Sequence, residues 1–132
     1  MAYAIYVLVK LVAYAAWCWL GLANWRPAPV RWPNALGLGV LRLGVGVLFG
    51  VAIFFAVPAQ PYDVLWKYLV IYSPVRLLEW FIVAWVIRRH AANAAPKSAL
   101  LWCLGGIAVS FAADFASPEA VAGHFCVGRC LC

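Results

Sequence analysis

The chain has 132 residues, of which 68% are hydrophobic and 11% charged, with a formal net charge of +6. Soluble domains are closer to half apolar, so this composition excludes an ordinary soluble domain and indicates an integral membrane protein. A crossing helix takes about 20 residues, which leaves room for about four crossings and no separate soluble domain. The basic residues lie mainly in connections between apolar runs, where they report orientation. No basic stripe with stacking aromatics lies outside those runs, which argues against nucleic acid as a partner.

The pattern predicts an all-α fold, a single four-helix transmembrane bundle over residues 1–132 with spans near 3–23, 35–58, 64–87 and 99–116. Residues 117–132 form a Cys-containing tail outside the membrane. The first run lacks a basic leader and carries Lys10 in its interior, so it reads as a retained helix and not as a signal peptide. Tyr3, Tyr6, Lys10, Tyr14 and Trp17 recur at helical spacing, placing Lys10 on an aromatic, hydroxyl-bearing face.

Three prolines between residues 24 and 34 break the helix and mark an interfacial loop. In the second run Gly46 and Gly50 form a GxxxG pair that permits close approach of another helix. Arg42 shares their face. Pro58 and Pro61 punctuate the next turn.

The third run contains Tyr72-Ser73-Pro74-Val75-Arg76-Leu77-Leu78-Glu79-Trp80. An arginine and a glutamate three residues apart meet on one helix face, and each costs several kcal/mol in hydrocarbon unless paired or hydrated. Counted at 1.5 Å per residue, Arg42 and Glu79 sit at matching depth, about 10–12 Å from the cytoplasmic ends of their spans. Two pairings follow. Either Arg42 meets Glu79 across helices, leaving Arg76 to Tyr72, Ser73 and Tyr14, or Arg76 pairs locally with Glu79 and Arg42 snorkels toward headgroups; a network shared by both arginines also fits the spacing. Pro74 frees the carbonyl of Val70 and is expected to kink the helix.

The last run carries Cys103, Gly106, Ser110 and Asp114 on one face, with Asp114 expected near the outer, hydrated end. Glu79 then stands as the one acid deep in a span, and Lys10, Arg42 and Arg76 leave an excess of positive charge there. The eight tryptophans are expected at headgroup level. Cys18 and Cys103 read as small apolar residues.

The tail brings His124, Cys126, Cys130 and Cys132 within nine residues. Outside the cytoplasm this composition favours a disulfide, and inside it favours a soft metal such as Zn(II) or Cu(I). The C-x3-C-x-C spacing matches no standard zinc pattern. No cofactor is otherwise implied.

No Ser/His/Asp set, paired carboxylate, phosphate loop or HExxH motif is present. This points away from an enzyme, the remaining catalytic option being Lys10, Arg76 and Glu79 acting on a lipid. Two functions fit the intramembrane cluster of Lys10, Arg42, Arg76, Glu79, Tyr14, Tyr72 and Ser73. One is an oligomeric transporter of an anionic or protonatable solute, and the other an accessory subunit whose charges and glycines serve assembly. The expected partners are the lipid bilayer and either a second copy, as dimer or larger, or another membrane subunit. Arg26, Arg31, Arg88, Arg89 and Lys97 against Lys67 and Arg129 predict both termini on the non-cytoplasmic side of a bacterial-type inner membrane.

Overall fold

The computed structural model describes residues 1–25, 31–56, 65–89 and 96–121. The described chain is all-helical: α1 (Ala2–Trp25), α2 (Trp32–Ala56), α3 (Leu65–Arg88), α4 (Pro96–Asp114) and a single turn, α5 (Pro118–Val121). Three helices, α1 to α3, are long and apolar enough to cross a membrane. The apolar part of α4, Ser98–Asp114, is shorter. Its 17 residues reach about 26 Å against a hydrocarbon core of about 30 Å. The expected four helices are therefore present, with three of full spanning length.

The proline-rich connection is shorter than expected, because α2 starts at Trp32 and takes Pro33 into its first turn, where the missing N–H is no loss. The Arg31 carbonyl accepts from the amides of Asn34 and Ala35, closing that turn. The helices pack in ring order, α1 against α2 and α4, and α3 against α2 and α4, with α1 also touching α3. Where α4 ends, the amides of Phe115, Ala116 and Ser117 bond back to the carbonyls of Phe111, Ala113 and Asp114. Ser117 Oγ then accepts from the Ala120 amide and caps α5, which folds against α1.

The interior divides along the bundle axis. Toward the end formed by Trp25, Trp32, Arg88 and Pro96, the core is apolar: Cys18, Leu22, Ala35, Trp80, Val83, Ala84, Ile87, Trp102 and Cys103 are buried together. Toward the other end it is polar, holding Tyr6, Lys10, Tyr68, Tyr72, Arg76 and Asp114.

Several tryptophans are buried between helices and do not sit on the bundle surface. Trp80 is fully buried and Trp102 nearly so, whereas Trp32, Trp66 and Trp85 keep the exposure expected of interfacial rings. Glycines account for the difference. A Cβ on Gly106 would lie 2.5 Å from the Trp80 ring, one on Gly21 would lie 2.9 Å from Trp102, and one on Gly105 would collide with Trp17. The indoles thus fill notches in facing helices. Trp17 stacks on Trp102, with ring centroids 6.2 Å apart, and donates from Nε1 to the Trp102 carbonyl at 3.1 Å.

Candidate functional site

Two buried carboxylates organise the polar half, and the sequence pattern singled out only one of them. On α1 the period of four carries Tyr6, Lys10 and Tyr14 inward, as that periodicity requires. Tyr3, assigned to the same face, is exposed. On α3 the inward residues are Tyr68, Tyr72, Arg76 and Glu79. From α2 comes Arg42, only 1% exposed. From α4 come Ser110 and Asp114, one turn apart and both buried.

The first centre is built on Asp114. Its Oδ1 lies 2.6 Å from Lys10 Nζ and accepts from Tyr6 OH at 2.9 Å. Its Oδ2 pairs with Arg76 Nη2 and accepts from Tyr68 OH at 2.5 Å. Arg76 Nη2 also donates to Tyr68 OH at 3.2 Å. The Lys10 ammonium lies 4.6 Å from the Tyr6 ring centre, and the Arg76 guanidinium 5.2 Å from that of Phe111. One carboxylate thus holds two cations and two hydroxyls drawn from α1 and α3.

This corrects the expectation of a hydrated Asp114 at the outer end, and with it the standing of Glu79 as the one deep acid. Because α4 is short and α5 folds back on α1, the last residue of α4 lies inside the bundle. Arg76 finds Asp114 and Tyr68 as its polar partners, and of the partners foreseen for it the Tyr72 ring lies 5.9 Å from the guanidinium. The signal was present in the sequence as Ser110 and Asp114 at i and i+4 on the inward stripe of α4.

The second centre is built on Glu79. Its Oε2 lies 2.5 Å from Arg42 Nη2, joining α3 to α2 at the matching depth that the residue count gives. Arg42 Nη2 donates to Ser110 Oγ at 3.3 Å, which also accepts from Trp80 Nε1 at 2.9 Å. The guanidinium lies 4.9 Å from the Tyr14 ring centre and 5.0 Å from that of Trp80. Arg42 does not snorkel; it is enclosed by two aromatic rings.

Gly46 acts differently from a close-packing glycine. A Cβ there would stand 3.0 Å from Arg42 Nη1 and 3.7 Å from Glu79 Oε1, so the bare backbone makes room for the ion pair. The close helix approach is at Gly39, where a Cβ would lie 3.0 Å from the Ala15 backbone nitrogen of α1. Gly50 is buried and lines a cavity. Ser73 stays outside the cluster, since its hydroxyl donates to the Leu69 carbonyl at 2.6 Å, as a hydroxyl in an apolar helix commonly does.

Between α1, α2 and α3 lies a cavity of about 40 Å³, lined by Tyr6, Lys10, Tyr14, Arg42, Tyr72, Arg76 and Glu79 together with Gly46, Gly50 and apolar neighbours. At 10–15 Å³ per water this is room for about three waters. Arg42 Nε and Arg76 Nε are buried without a hydrogen-bond partner. Buried polar atoms left in that condition cost about 1–3 kcal/mol each.

Cys18 and Cys103 are free and fully buried in the apolar half. Among the described residues no cluster of three or more His, Cys, Asp or Glu side chains is placed to hold a metal. The tail residues His124, Cys126, Cys130 and Cys132 lie outside the described residues.

Comparison with protein-family models, curated proteins and solved structures finds no match.

Proposed function

We propose that this is a small membrane transport protein that moves an anionic or protonatable solute through the polar half of its bundle. The observation that carries this reading is the convergence of Lys10, Arg42, Arg76 and Glu79 on one cavity. Cations kept only for snorkelling or for assembly would face lipid or an outer helix surface, whereas these three are turned inward. Three cations stand against two carboxylates in the spans, leaving one positive charge in a low-dielectric interior, where anions are strongly attracted.

Four helices enclose little space, so a full pathway calls for a second copy or more. Both termini are assigned to the non-cytoplasmic side of a bacterial-type inner membrane on the bias of lysine and arginine among the connections. In that orientation the polar half lies nearer the outside. A C-terminal reporter active only beyond the cytoplasm tests the orientation, and a silent reporter reverses it.

The test of the reading is flux into vesicles containing the purified protein, with chloride, nitrate, formate, sulfate and gluconate as probes. A binding solute should also raise the melting temperature of the detergent-solubilised protein. No flux and no thermal shift across the set would overturn it.

A second reading, an accessory subunit of a membrane complex, is supported by α2. It is the least buried of the long helices, and Gly37 and Gly44, seven residues apart, have open space where a Cβ would be. Substituting leucine at both positions should separate the readings. Loss of a co-purifying partner with flux retained favours assembly, while loss of self-association together with flux favours an oligomeric transporter.

A further inference from the structure

The two carboxylates differ in how fully their charge is used, and only one of them borders the cavity. Asp114 holds two cations and two hydroxyls and is absent from the cavity wall. Glu79 pairs with one cation, Arg42, through Oε2 and lines the cavity. It faces Lys10 and Tyr14 of α1, Arg42 of α2 and Arg76 of its own helix, with Ser110 of α4 bonded to Arg42 and Asp114 of α4 paired with Lys10 and Arg76. The unpartnered Nε–H groups of Arg42 and Arg76 belong to two residues of the same wall.

We infer that the cavity takes a small monovalent anion together with one proton, the proton residing on Glu79. This rests on the transport reading and names its substrate class and coupling. While Glu79 is ionised it serves as the internal counter-ion of Arg42, and a second anion beside it is repelled. Once protonated, it releases Arg42, and the positive excess of the spans rises from one to two. An incoming anion restores the balance, accepting from the arginine donors that now lack a partner.

A space of three waters admits chloride, nitrate or formate. It does not admit drug-sized solutes, whose pockets run to about 300 Å³ and more. Proton and anion enter and leave together, one of each, so the loaded and empty sites carry the same net charge.

The experiment uses the full chain in lipid vesicles and in detergent. Chloride, nitrate and formate affinity should fall about tenfold per unit rise in pH over the range where Glu79 is ionised, the slope of a single linked proton. In Glu79→Gln the affinity should be flat with pH and remain at the low-pH level. In wild-type vesicles, an imposed chloride gradient should drive proton entry seen by an internal pH dye, one proton per chloride.

Anion flux with no accompanying proton movement overturns the coupling while leaving transport standing. So does an unchanged pH slope in Glu79→Gln. Equal binding of sulfate or gluconate overturns the size and charge class. Absence of binding and flux for every probe at every pH removes the transport reading as well. The proton-flux measurement needs no variant, so a Glu79→Gln chain that fails to fold leaves a decisive result available.

Discussion

Asp114 and Glu79 are both carboxylates buried within an apolar helical bundle, yet their surroundings are opposite. Asp114 receives contacts from two helices on both oxygens, so its charge is fully committed to holding α4 against α1 and α3. Glu79 receives one cation and borders open space. A buried ion pair repays its desolvation only when the remaining lone pairs and protons are also satisfied. Asp114 meets that criterion on both of its oxygens and acts as a structural clasp, although Arg76 Nε lacks a hydrogen bond as Arg42 Nε does; Glu79, with one cation beside a cavity, is the less committed carboxylate.

The largest expected effect follows from removing the clasp. Asp114→Asn removes the carboxylate that contacts both Lys10 and Arg76 and should destabilise the protein by about 3–5 kcal/mol. Glu79→Gln leaves only Arg42 uncompensated, beside a cavity that admits water, and should cost about 1–2 kcal/mol. Denaturant titration of the two variants in one detergent measures both. A reversed order would mean that Glu79 holds the bundle and that Asp114 is the freer group.

The Arg42–Glu79 pair itself is isolated by a charge swap. Arg42→Glu and Glu79→Arg should each lose stability, and the double variant should recover about 1–3 kcal/mol relative to additivity, the coupling typical of residues in contact. Additive losses would show that neither charge depends on the other, and the pairing would then be incidental to the fold. Lys10 gives a contrast within the same measurement: paired with Asp114, it should show no comparable coupling to Glu79.

Packing around the tryptophans extends the contrast to the apolar half. Gly106→Ala places a methyl against the buried Trp80 ring and should cost about 1–3 kcal/mol through overpacking. Because Trp80 also shares Ser110 with Arg42, this variant should weaken the Glu79 centre more than the Asp114 centre. Gly44→Ala meets open space and should leave the isolated chain unchanged or slightly more stable, as alanine improves helix propensity. Near-equal unfolding of the two variants would remove the notch that seats Trp80.

The helices and the inward faces of α1 and α3 were legible because apolar length and a period near four are local properties of the chain. The matching depth of Arg42 and Glu79 was legible for the same reason, since depth is residue count times rise. The burial of Asp114 was not. It depends on where α4 stops relative to its neighbours and on α5 folding back, which are properties of the assembled bundle. Gly46 was read as a site of backbone approach because GxxxG carries no information about what fills the gap, and here a guanidinium and a carboxylate fill it. Tryptophan burial was missed because the notches that accept the rings are on other helices. The tail cysteines fall outside the described residues, so their chemistry rests on sequence alone.

The smallest effects separate hydroxyls that serve the clasp from one that serves only its own helix. Tyr6 donates to Asp114 across the α1–α4 contact, and interhelical hydrogen bonds within membranes average about 0.6 kcal/mol. Tyr6→Phe should therefore cost about that much, with the loss enlarged if Lys10 then shifts. Ser73 donates to a carbonyl four residues earlier in α3, a bond that adds nothing between helices. Ser73→Ala should leave stability within about 0.3 kcal/mol of wild type, since back-bonding of this kind is neutral to slightly unfavourable for the helix. If Ser73→Ala instead lost as much as Tyr6→Phe, the hydroxyl would have to reach the cavity in the working protein, and Ser73 would join Glu79 and Arg42 at the cavity wall after all.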